Sequence, residues 1–208
     1  GVPASWLVGP PLSHTGAARF LFLALAVADG EETVPTWYDL LRQPGLLLRQ
    51  ELVPQATQGK TRWRQILAEC GANRGTAMVR AAVESWSAGR TGEEERIERD
   101  RAAAASLCFS MAHMDKALRA LPTSGTQAEH AAAWRSFLAQ WRRRTPAQSR
   151  LDRLLASWAS SPSRRLLSLE VARTLFAAEV ERTQATPGGL GEPRVLVAAP
   201  QKRTPSLS

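Results

Sequence analysis

The sequence contains few of the residue types that usually carry chemistry. Of its 208 residues, two are cysteine and three are histidine, and neither type occurs at a metal-binding spacing. Cys70 and Cys108 form no CxxC motif, which fits reduced thiols in a cytoplasmic protein better than a disulfide framework. No HExxH or GxSxG motif is present. We therefore expect no cofactor, no metal and no catalytic site in this chain alone, and we expect the histidines at the surface or at helix ends.

One segment imitates a nucleotide-binding loop without meeting its requirements. Residues 54–61 read PQATQGKT, which ends like the phosphate-binding motif GxxxxGKT. Pro54 stands where that motif needs its first glycine, and no convincing strand precedes it. The sequence does not predict a nucleotide site there.

Lysine is also scarce, so arginine supplies nearly all of the positive charge. The chain has 27 basic and 19 acidic residues, a net charge of +8 and a calculated pI of about 10.8. Most of this charge lies between Trp134 and Arg173, where nine arginines face only Asp152 and Glu170. A basic surface of this kind predicts an anionic partner.

Guanidinium groups suit bidentate contacts with phosphate, so we predict non-specific binding to the backbone of DNA or RNA. A solvated basic face and a protein contact remain alternatives. The predicted DNA-binding residues are Arg135, Arg142, Arg143, Arg144, Arg150, Arg153, Arg164 and Arg165.

Two tryptophans lie among these arginines. Trp141 and Trp158 would be able to stack on bases if their rings were exposed. Both also fall at the spacing of helix core positions, and the sequence leaves these two alternatives open.

The sequence has no apolar run longer than the nine residues Phe20–Ala28. It is too short to span a bilayer, which takes roughly 20 residues, and we expect no membrane contact. A helix from about His14 to Ala28 would be apolar on all sides, which predicts a buried central helix. The alternative is a secretory signal, which the segment Arg19–Asp29 imitates.

The fold class predicted is all-α, an irregular bundle of about seven or eight helices with a short C-terminal β-strand. Capping boxes at Thr91 and Glu94 and at Thr126 and Glu129 mark two helix starts. Residues 45–59 read as a loop and residues 194–199 as the strand. The predicted helices cover residues 14–28, 36–43, 61–69, 75–86 and 91–121, with three more beginning near 126, 145 and 169.

We expect a helical domain over residues 1–186, with a subdivision near 88–92. Residues 187–208 would be a linker and a strand that return to a missing β-containing domain. A lone strand after a glycine-rich linker favours this interpretation, because a strand needs pairing partners.

Both ends of the chain resemble UvrD-like helicases and their AddB-type relatives. That family has a "GIP" turn, which is followed by a pattern close to PLxxTPxxRxLLxLL and then by LLRxPxL. At the other end of the chain, residues 192–208 resemble the strand and loop by which the family's insertion returns to the second RecA-like domain. Gly16 stands where the family often has proline, and residues 201–204 lack the signature of an active motor. The matching residues are Gly1, Val2, Pro3, Pro11, Leu12, Thr15, Arg19, Leu41, Arg42, Pro44 and Leu46.

The resemblance implies the helical insertion of the second RecA-like domain, which contacts single- or double-stranded DNA and does not itself hydrolyse ATP. It implies a parent DNA-repair helicase/nuclease with a degenerate motor and a PD-(D/E)XK nuclease domain, acting in recombination. The missing motor and nuclease domains, or a partner subunit, would be its protein partners. A protein-interaction module that meets an acidic partner is the alternative function.

Overall fold

The part of the chain that the structure describes is mainly helical, which confirms the predicted all-α class. The computed structural model describes residues 12–46, 56–161 and 163–185. Within them are eight α-helices and two short strands, β1 (Ser124–Gly125) and β2 (Leu167–Ser168), which pair antiparallel. The helices are α1 (Gly16–Ala28), α2 (Val34–Leu41), α3 (Ala56–Glu69), α4 (Thr76–Ala88), α5 (Glu94–Arg119), α6 (Gln127–Trp141), α7 (Pro146–Ala159) and α8 (Leu169–Ala185).

Helix α1 is the buried central helix that its apolar sequence predicts. A 3₁₀ turn at Leu12–His14 precedes it, and the Thr15 hydroxyl accepts a hydrogen bond from the Ala18 amide at 3.4 Å. Eight of its 13 residues are buried, and it packs against α2, α5, α7 and α8. Gly30, with φ of 96°, turns the chain away after the helix. The signal-like run is therefore the core helix of this fold.

The long helix α5 packs against α3 and α4 and is tied to them by a buried acid. Asp100 is 1% exposed and pairs with Arg62 at 2.8 Å and Arg90 at 2.9 Å. A buried carboxylate needs such partners because its desolvation is costly.

Two sequence predictions about helix starts are wrong. Glu93, and not Thr91, is the N-cap of α5, and it makes no side-chain capping bond. Acidic side chains in the first turn instead favour that helix through its dipole. Helix α3 starts at Ala56, although we predicted a loop over residues 45–59. We missed the first turn of this helix because the apolar helical spacing begins only at Trp63. The predicted strand at 194–199 lies outside the described residues.

Helices α6, α7 and α8 form the arginine-rich half of the molecule. Thr126 and Glu129 make the predicted capping box at the start of α6, and Pro146 occupies the first turn of α7. The β1–β2 pair was not predicted from the sequence. It lies beside α6, where Nε2 of the buried His130 is 3.1 Å from the carbonyl oxygen of Leu167. His130 is thus a core residue in the first turn of α6 and not a cap, whereas we expected the histidines at the surface or at helix ends.

Candidate nucleic-acid interface

The two tryptophans near the arginines belong to the core. Trp158 is 8% exposed and stacks on Trp134 with ring centres 5.5 Å apart, and Trp141 is 3% exposed. Phe137 and Phe176 complete the cluster. Large aromatic rings in this position stabilise the packing of α6 on α7 and α8. Of the two alternatives that the sequence left open for these rings, the structure shows the core position, because both are buried.

Arg142 is buried and makes structural contacts, so its guanidinium group is not available to bind a phosphate. Its Nη1 donates a hydrogen bond to the Gly16 carbonyl at 2.7 Å, and its guanidinium carbon lies 5.4 Å from the centre of the Phe20 ring. Its backbone forms a β-bridge with Leu46. Burial lowers the pKa of the Arg142 guanidinium. The side chain therefore joins the end of α6 to the start of α1.

The other seven predicted arginines lie at or near the surface. Arg150 is half-buried and the rest are exposed. Among the described residues, no acidic side chain lies within 4 Å of their guanidinium nitrogens. Arg173, the ninth arginine of the basic segment, differs because it pairs with Asp29 at 3.2 Å and Glu31 at 2.9 Å. Seven guanidinium groups thus remain for an external anion.

A cleft of about 510 Å³ lies between α6 and α7. We call it the α6–α7 cleft, and it brings together two of the exposed arginines, Arg135 from α6 and Arg144 from the following loop. The remaining lining residues are Ala132, Ser136, Ala139, Arg142, Gln148 and Asp152.

Asp152 gives this cleft its one carboxylate. Burial raises the pKa of the Asp152 carboxyl above its usual value of 3.8, while the charges of Arg135 and Arg144 act in the opposite direction. The burial effect prevails because the side chain loses water without gaining a direct hydrogen bond. Nothing in the sequence singled out Asp152 as a site residue, although its spacing of four residues from Gln148 places both on one side of α7.

The predicted arginines do not form one continuous surface. Arg150 and Asp152 lie about 200° apart around α7, so Arg150 is on the side of the helix away from the cleft. Arg153 is also absent from the cleft, and Arg164 and Arg165 lie in the connection to β2. The structure thus brings Arg135 and Arg144 together and spreads the other five over the neighbouring surface.

Comparisons of this chain with protein-family models, with curated proteins and with solved structures found no match. Among the described residues, no three His, Cys, Asp or Glu side chains are placed to hold a metal ion. Nor does that part of the chain contain a helix with the length and apolar character needed to cross a membrane.

Proposed function

We propose that this chain is a non-catalytic helical domain that binds the phosphate backbone of DNA. The observation that carries the proposal is the set of seven arginines between Arg135 and Arg165 that have no acidic partner among the described residues. Some arginines elsewhere in the fold, such as Arg62 and Arg90, are paired with Asp100. Others, such as Arg64 and Arg101, are also exposed without an acidic partner among the described residues. The segment from Trp134 to Arg173 differs because its nine arginines are accompanied by only two acidic residues. Guanidinium groups left without carboxylates are suited to bidentate phosphate contacts.

The mode of binding that this arrangement favours is independent of sequence. Trp141 and Trp158 are buried, so the basic surface offers phosphate contacts without base stacking by these rings. Such contacts position nucleic acid but do not read its bases, and each one releases counterions. We expect affinity to vary little with base composition and to fall steeply as salt rises.

The resemblance to AddB-type proteins supports a more specific proposal, the helical insertion of a repair helicase/nuclease. Several of the matching residues have structural roles in one region. Thr15 caps α1, and Pro44 lies close to Gly16 at the point where Arg142 binds. We propose that the family pattern preserves this junction, and that the parent's motor and nuclease domains supply the catalysis.

A protein partner is the second candidate, and exposed aliphatic side chains favour it. Leu166 is 68% exposed and follows Arg164 and Arg165, while Val171 and Leu175 on α8 are 45% and 43% exposed. A mixed basic and apolar surface suits an acidic protein segment better than a phosphate backbone.

The test compares two triple variants that remove the same charge from different places. Arg143→Gln, Arg153→Gln and Arg164→Gln change the basic surface, whereas Arg64→Gln, Arg74→Gln and Arg101→Gln change exposed arginines of the other half. We expect the first variant to bind a labelled 20-nucleotide strand about tenfold more weakly in fluorescence anisotropy and the second to change affinity by less than about threefold.

Equal weakening of the two variants would contradict a localised DNA-binding surface, because only the total charge would then matter. Tight binding of polyglutamate with no binding of DNA would favour the protein-interaction module instead.

A further inference from the structure

The α6–α7 cleft differs from the rest of the basic surface because it offers a hydrogen-bond acceptor beside its arginines. The Asp152 carboxylate is half-buried, and no hydrogen bond or ion pair joins it to any described residue. Arg135 and Arg144 are close enough to influence its charge, yet neither lies within 4 Å of it. A carboxylate that has lost water without gaining a partner is suited to accept a hydrogen bond from a ligand.

The charge of the cleft matches an anion with two negative charges. Arg135 and Arg144 face it from different elements, and Arg142 adds a third positive charge in the wall. Arg142 keeps its charge because guanidinium groups do not lose a proton in proteins. Nε of Arg142 and Oε1 of Gln148 are buried polar atoms behind the cleft wall that have no partner among the described residues.

The volume of the cleft exceeds what one phosphate group requires. A cavity of about 510 Å³ is within the range of sites for small organic ligands, roughly 300–1,000 Å³. A ligand that fills it should therefore carry a phosphate for the arginines and, a few ångströms away, a hydroxyl or amino group for the carboxylate.

We propose that the α6–α7 cleft binds a nucleoside 5′-phosphate, with Arg135 and Arg144 holding the phosphate and Asp152 accepting a hydrogen bond from a hydroxyl or amino group. Two sources supply this chemistry, a free mononucleotide and the 5′-phosphorylated end of a DNA strand. The strand-end source rests on the proposed DNA binding, and the free nucleotide does not.

The first measurement is calorimetric titration of the whole chain with deoxyadenosine 5′-phosphate, inorganic phosphate and deoxyadenosine. We expect the nucleotide to bind more tightly than either fragment. Arg135→Gln and Arg144→Gln should each weaken nucleotide binding about tenfold, since each removes a charged hydrogen-bond donor. Arg101→Gln, which changes an exposed arginine of α5 outside the cleft and outside the predicted DNA-binding set, is the matched control and should leave the affinity unchanged.

The Asp152→Ala variant separates a nucleotide site from a simple anion site. Removing the carboxylate should strengthen binding of inorganic phosphate, because one negative charge leaves the cleft. The same change should remove the acceptor for the nucleoside, so the preference for nucleotide over inorganic phosphate should fall about tenfold. An unchanged preference, or a wild-type chain that binds no nucleotide and no phosphorylated strand end, would overturn the proposal.

Two 3′-labelled strands that differ only in carrying a 5′-phosphate or a 5′-hydroxyl distinguish a free mononucleotide from a strand end as the ligand of the cleft. A preference for the phosphorylated strand that Arg144→Gln abolishes assigns the strand end. Equal binding of both strands, together with binding of the mononucleotide, assigns the free nucleotide. The Arg143, Arg153 and Arg164 triple variant should weaken both strands while keeping the mononucleotide affinity, so failure of the backbone proposal is distinguishable from failure of the cleft proposal.

Discussion

Arg142 illustrates how neighbouring residues of one type take different roles. Arg142, Arg143 and Arg144 are consecutive, and nothing in their identity separates them. Arg142 is 5% exposed and its guanidinium binds the Gly16 carbonyl, whereas the side chains of the other two are exposed. From the sequence we predicted all three as phosphate ligands. The burial of Arg142 could not be predicted, because it depends on contacts with α1 and with the chain after α2, which are distant in sequence.

We predict that Arg142→Ala destabilises the fold by about 2 kcal/mol, since it removes the hydrogen bond from the buried charged side chain of Arg142 to the Gly16 carbonyl. Arg143→Ala, the matched control, should change stability by less than about 0.5 kcal/mol, as exposed substitutions usually do. Urea unfolding followed by tryptophan fluorescence measures both. Equal stability of the two variants would contradict the structural role of Arg142.

Cys108 provides a pH prediction at the same scale. Burial first, and the charge of Glu84 second, raise the pKa of the Cys108 thiol from 9.0 to about 11. The unfolded chain therefore loses this proton at lower pH than the folded chain, so the thiol's contribution is complete below pH 9 and is lost as pH rises toward 11.

We expect a loss of about 2 kcal/mol in the free energy of unfolding between pH 9 and pH 11 from this group. Urea unfolding at the two pH values measures it. The Cys108→Ala variant should lose less stability over the same interval, and an identical loss in the variant would show that other groups cause it.

At the scale of elements, features set by local sequence were predictable and long-range features were not. The capping box at Thr126 and Glu129 and the proline at the start of α7 follow from a few adjacent residues. The β1–β2 pair joins residues more than forty positions apart, and its four residues have no strand pattern. The α6–α7 cleft could not be predicted from the sequence either, because it depends on how these two helices pack.

The start of α1 gives a prediction for a helix terminus. Gly16 is the first helical residue, where proline is favoured because the amide has no acceptor within the helix. Thr15 has φ of −75° and ψ of 146°, an extended conformation compatible with a following proline. A Cβ on Gly16 would lie 3.5 Å from Arg142 Nη2 and 3.7 Å from Pro44 Cγ, which are ordinary contacts.

Gly16→Pro should therefore stabilise the fold by about 0.5 kcal/mol, mainly by restricting the unfolded chain. The control is Gly30→Ala at the other end of α1, where φ of 96° strains any residue with a Cβ and should cost about 1 kcal/mol. Thermal denaturation distinguishes the two, and destabilisation by Gly16→Pro would contradict this account.

At the scale of the whole molecule, one hydrophobic core extends through both helical groups, whereas the charge is distributed unevenly between them. The half built from α3, α4 and α5 neutralises its buried acid with Arg62 and Arg90. The half built from α6, α7 and α8 contains the aromatic cluster and carries most of the net positive charge on its surface. The composition of the sequence predicted this excess of charge, but not which arginines reach the surface.

The most direct test of the central claim is the salt dependence of DNA binding by the intact chain. Anisotropy titrations of a labelled single strand should give an affinity that falls linearly on logarithmic axes as sodium chloride rises. Loss of three phosphate contacts in the Arg143, Arg153 and Arg164 variant should reduce the slope by about 2, at roughly 0.7 per contact for a single strand. A wild-type chain that does not bind at low salt, or a variant with an unchanged slope, would contradict backbone binding by this surface.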